Sequence, residues 1–109
     1  MPEKPSHRRA KTKAAGPGGQ VEVPLRGGKR LDALTEGGGR ATEVERSGTS
    51  QGLTAAARRL KQTKAAQKVL QVPQKDMNAA AQAMRKVGTG GTVKNMSGTR
   101  RRSVRPQRP

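Results

Sequence analysis

The chain is 109 residues long, with 24 Lys and Arg against 7 Asp and Glu, a formal charge of +17. That length holds one domain, and the charge opposes compaction while favouring a polyanion as partner. With no Phe, Tyr or Trp and no Cys, the sequence excludes base-stacking readers of the RRM or OB type, disulfides and thiolate zinc sites.

In chain order, residues 1–16 (MPEKPSHRRAKTKAAG) are basic, contain proline and lack periodicity, so they are expected to form a disordered tail. The single histidine, His7, lies in that run and offers little to a His-based centre. Residues 20–25 (QVEVPL) alternate as a half-buried strand does. Pro24 cannot donate to a ladder, which argues for a sheet edge. Gly27-Gly28 turns the chain into a second strand at 29–34 (KRLDAL), and Gly37-Gly38-Gly39 into a third at 40–46 (RATEVER), giving a three-stranded meander. After Ser47-Gly48 the period changes. Leu53, Ala56, Ala57 and Leu60 fall at helical spacing, predicting a helix over 51–65. Residues 69–72 (VLQV) form a short strand that Pro73 stops. A second helix follows, with Met77, Ala80, Met84 and Val87 on one stripe and Gly88 as its C-terminal stop. Residues 92–96 (TVKNM) form a last strand, and 99–109 (TRRRSVRPQRP) a second disordered basic tail.

The expected architecture is therefore α/β (α+β): a single domain over 17–98 with a small mixed sheet, in the order β-β-β-α-β-α-β, between two basic tails. Its core is left to Leu, Val, Met and Ala, and buries little area in so short a chain. Without its tails the domain still carries fourteen basic and six acidic residues. No apolar run approaches the roughly 20 residues that a spanning helix needs, and a secretory signal is not evident at the N-terminus. These features point to an intracellular protein, cytoplasmic or nucleoid-associated.

Scarce acids make their positions informative. Asp32, Glu36, Glu43 and Glu45 lie within fourteen positions. Alternation puts Glu43 and Glu45 on one strand face, with Val44 on the other. A turn centred between Gly37 and Gly38 makes opposed residue numbers sum to 75, which places Asp32 across from Glu43 and Arg30 across from Glu45. Like charges so opposed repel unless a cation lies between them. Mg2+ takes one or two carboxylates and keeps room for water and phosphate. The plainer account of the same residues is a solvated strand face with weak ion pairs, Arg30–Glu45 among them. The glycine stretches lack the Lys-Ser or Lys-Thr that closes a phosphate loop, and serve as tight turns.

The stretch GKRLDAL…ATEVERSG, followed by helix, strand and helix, resembles the core of the PD-(D/E)xK (restriction-endonuclease-like) nuclease superfamily, in an E-x-E version. The resemblance covers roughly residues 20–97 and implies a restriction-endonuclease-like core that hydrolyses phosphodiester bonds with Mg2+ or Mn2+. It implies Asp32 as first metal ligand, Glu43 as second, and Glu45 where the family usually has Lys. Small domains of this kind occur as nuclease toxin modules and in mobile elements, and delivery as a secreted toxin module is compatible with the reading. DNA or RNA is the expected partner, through Arg30, Arg58, Arg59, Lys61, Lys64, Arg100, Arg101 and Arg102; a homodimer would suit double-strand cutting. The alternatives are a binding module without catalysis (a decayed nuclease fold, or a chromatin-like or ribosome-associated protein) and a largely disordered basic chain that folds on its partner.

Overall fold

A computed structural model of the chain describes residues 4–106. The elements run α1 (Pro5–Ala15), β1 (Gln20–Pro24), β2 (Arg30–Leu34), β3 (Arg40–Val44), α2 (Ser50–Gln62), β4 (Gln67–Gln71), α3 (Met77–Val87), β5 (Gly91–Lys94) and β6 (Arg101–Val104). They build an α+β fold on one six-stranded mixed sheet, whose strands lie side by side in chain order. The meander β1–β2–β3 is antiparallel, β3, β4 and β5 are parallel, and β6 returns antiparallel. Each parallel step needs a crossover, and α2 and α3 supply the two.

The expected β-β-β-α-β-α-β order is present, but it is extended at both ends. The segment expected to be a disordered N-terminal tail contains the helix α1, and the segment expected to be a disordered C-terminal tail contains β6; residues 1–3 and 107–109 of those two segments lie outside the described residues. Pro5 opens α1 with a φ already suited to helix and no amide to strand. Its buried residues are Lys11 and Ala15, so the helix packs a small-residue face and shows little apolar periodicity. At its C-terminus the chain passes so close to β2 that a Cβ at Gly19 would collide with the carbonyl oxygens of Ala15 and Leu34. In β6, Arg102 and Val104 share the face toward α3: Val104 is buried, and Arg102 donates from Nη1 to Asn78 Oδ1 on α3 at 2.6 Å.

The two faces of the sheet differ. One carries α2 and α3 over a core of Leu31, Ala41, Leu53, Leu60, Leu70, Val72, Met84 and Val93. Thr49 caps α2 by accepting the Gly52 amide at 3.0 Å, and Gly88 ends α3 in the left-handed region, its amide donating to Met84 and Arg85. The other face carries α1 alone, next to the meander.

Candidate functional site

The turn between β2 and β3 sets the site. Gly37 and Gly38 take φ of +80° and +75°, a conformation other residues adopt only with strain. The ladder that results pairs Ala33 with Thr42 and Leu34 with Ala41. One step further the register brings Asp32 opposite Glu43. There the side chains take over from the ladder. The Glu43 carboxylate accepts the Asp32 amide through Oε2 at 2.7 Å, and the Asp32 carboxylate accepts the Val44 amide through Oδ2 at 2.7 Å.

Three cationic or ionisable side chains surround this pair. Arg59 on α2 donates from Nε to Glu43 Oε1 at 2.6 Å. His7 on α1 places Nε2 3.7 Å from Asp32 Oδ2, a charge contact when the ring is protonated and too long for a hydrogen bond. Lys11 on α1 contributes positive charge to Asp32 and holds Glu22 Oε2 on β1 at 3.0 Å. Glu22 lies between the β1–β2 pairs Val21–Ala33 and Val23–Leu31, hence opposite Asp32, and has φ +54°. Left-handed backbone outside glycine costs about 1–2 kcal/mol, and such strain is found most often at functional sites.

Burial governs the acidity of both carboxyls. Glu43 is 0% exposed. Burial first, and the Asp32 charge second, push its pKa up to about 7, while Arg59 and the Asp32 amide pull it down. Burial likewise raises Asp32, opposed by the Val44 amide and by the charges of His7, Lys11 and Arg59. The pair is a place where negative charge is costly and where the protonated form is favoured.

The remaining sequence-derived candidates are distributed. Glu45 lies one residue past the end of β3, so strand alternation no longer directs it, and its carboxylate accepts the Ser47 amide at 3.1 Å. Among the described residues, no group of three or more His, Cys, Asp or Glu is placed to hold a metal ion. Arg59, expected on a phosphate-contacting face, turns inward to Glu43. Lys61 donates to the Val87 carbonyl at 2.7 Å. Arg30, Arg58, Lys64, Arg100, Arg101 and Arg102 are exposed. Sequence reasoning does not reach His7 and Lys11, because residues 1–16 show no apolar periodicity from which a packed helix could be expected. Pro at its first position and Gly just past its last were the available signal.

No family model, curated protein or solved structure matches this chain.

Proposed function

We propose that the protein binds nucleic acid and hydrolyses phosphodiester bonds with a divalent cation, Mg2+ or Mn2+, at the Asp32–Glu43 pair. One observation carries the reading: two carboxylates on adjoining strands each accept an amide of the other's strand and are close enough to repel one another, inside a chain of charge +17. The donor chemistry fits the ion, since Asp32 and Glu43 offer hard oxygens and their mutual repulsion is what a cation relieves. A cation held there supplies polarisation of a phosphoryl oxygen and a bound water of lowered pKa. The chain's own residues do the rest. Arg59 and Lys11 offset the cost of ionised carboxylates, the paired amides of Asp32 and Val44 fix their orientation, and the basic surface draws in the polyanion. Glu45 joins the pair only by releasing the Ser47 amide. The E-x-E resemblance to PD-(D/E)xK nucleases supports the same assignment, as does the sequence of meander, helix and parallel strand. Such a substrate suits an intracellular protein or a toxin module delivered into a cell, and a homodimer would let it cut both strands of a duplex.

A second reading, binding without cleavage, is favoured by the 2.6 Å bond from Arg59 to Glu43. There the buried glutamate already has its counter-charge. The test is incubation of supercoiled plasmid and of folded RNA with Mg2+ or Mn2+. The cleavage reading predicts metal-dependent products from the wild type and their loss in both Asp32→Asn and Glu43→Gln. Binding of either polymer with no cleavage selects the second reading.

A further inference from the structure

The face of the sheet that carries α1 is only half covered. The helix lies over the meander, and beside it β3 to β6 present their outward residues to a groove of about 650 Å³. Strand register places the lining. Gln71, Lys94 and Arg101 are successive partners across β4, β5 and β6, and Arg40 and Thr42 come from β3. Arg9 and Lys13, one helical turn apart on α1, form the opposite wall, and Arg46 lies past the end of β3. Six cations thus face one groove whose lining includes no Asp or Glu.

This crowding is costly for the folded chain. Lys94 is half-buried, and its pKa is lowered by burial first and then by the charges of Arg101, Arg40 and Lys13. The arrangement is nonetheless built. Arg40 is held by a 2.9 Å bond from Nε to Gln67 Oε1. Gln71, buried beneath the groove, donates from Nε2 to the Met96 carbonyl at 2.9 Å and so fixes the loop that closes one end. On the opposite face Arg102 and Arg59 are spent on Asn78 and Glu43, whereas Arg9, Lys13, Arg46 and Arg101 stand exposed.

We infer that the groove between α1 and strands β3–β6 is the nucleic-acid-binding surface, a cradle that takes the phosphodiester backbone of DNA or RNA against Arg9, Lys13, Arg40, Arg46, Lys94 and Arg101. Repulsion among the six cations is relieved when phosphates lie between them, and counterions condensed on the polymer are released. With Ser, Thr and Gln as its neutral polar lining and no Phe, Tyr or Trp in the chain, the cradle holds backbone without reading bases. The inference shares with the proposed function the premise of a nucleic-acid partner, and does not require cleavage.

The experiment is fluorescence anisotropy of the full chain with a labelled DNA duplex and a labelled RNA hairpin, in EDTA, over a range of salt. The comparison is between the wild type, a groove variant (Arg9→Gln, Lys13→Gln, Arg101→Gln) and a control of equal charge on and beside α3 (Lys75→Gln, Arg85→Gln, Lys86→Gln). The groove variant should bind at least ten-fold more weakly, and its slope of log K against log salt should fall by about 2–3 if three phosphate contacts are lost. Its melting temperature should rise, since repulsion is removed, which separates lost contact from lost fold. Equal losses in groove and control variants, or tighter binding to phosphatidylserine vesicles than to either polymer, would overturn the assignment. Binding that survives in the control and not in the groove variant, without any cleavage in Mg2+, would uphold the groove and remove the cleavage reading alone.

Discussion

Asp32 and Glu43 each hold the other's strand. The Glu43 carboxylate accepts the Asp32 amide and the Asp32 carboxylate accepts the Val44 amide, both at 2.7 Å. Two side chains that repel one another thereby replace ladder bonds at the point where β2 and β3 diverge. Both readings of the site turn on what balances their charge.

Arg59 is the first part of that balance. Removing one partner of a buried ion pair leaves an uncompensated charge and costs about 3–5 kcal/mol, and the value for Arg59→Met belongs at the lower end because the Arg59 side chain is 24% exposed. Urea denaturation should show this loss, and Glu43→Gln combined with Arg59→Met should recover much of it, a coupling that a double-mutant cycle isolates. Additive effects of the two substitutions would mean that the pair contributes little.

A pH prediction follows from the weakened acidity of the two carboxyls. Glu43 goes from an ordinary value of 4.5 to about 7 in the folded chain. Between those values the native state binds more protons than the unfolded state, so stability falls as pH rises. The stabilisation relative to a Glu43→Gln variant should be largest below pH 4.5, decline through pH 7 by on the order of 3 kcal/mol, and level off above it. Asp32, also raised, acts with the same sign. A difference that is flat with pH, or that grows as pH rises, would show that the carboxyl keeps an ordinary acidity.

Helix α1 is the least expected element and has its own test. Proline in a helix interior costs about 3 kcal/mol or more, so Ala10→Pro should unseat α1 from the sheet. Trypsin should then cut rapidly after Arg8, Lys11 and Lys13, which in the wild type are held in helix, while the new proline blocks the bond after Arg9. Equal cutting of the two proteins would mean that the segment is not packed.

How far the sequence discloses this molecule depends on what each element uses for contact. The meander, α2, β4, α3 and β5 bury apolar residues at strand or helix spacing, and the pattern is visible in Leu53, Leu60, Leu70 and Met84. The β2–β3 register is legible only with the turn centred between Gly37 and Gly38, as the observed pairing has it, because a three-residue loop would shift the pairing by one and reverse every side chain. By contrast α1 buries Lys11 and Ala15, a pattern that hydrophobic spacing does not detect. In β6, Arg101 and Arg102 face opposite sides with opposite uses, one in the groove and one on Asn78. A run of like charges conceals that alternation. At the site, Asp32 and Glu43 were legible from scarcity and register. The contacts of His7 with Asp32 and of Lys11 with Glu22 depend on the docking of a helix that carries no apolar stripe, and the inward turn of Arg59 depends on the pitch of α2 over β3.

Calorimetric titration of the whole chain with Mn2+, repeated at pH 5.5 and pH 8, tests the central claim most directly. If the carboxylate pair is a cation site, Mn2+ binds at pH 8, where Glu43 is already ionised, binds more weakly at pH 5.5, where it must displace the proton that Glu43 holds, and fails to bind in Asp32→Asn and Glu43→Gln. Absence of any heat beyond dilution at millimolar Mn2+, or binding that both variants retain, would contradict it and leave the pair as a fastening between two strands.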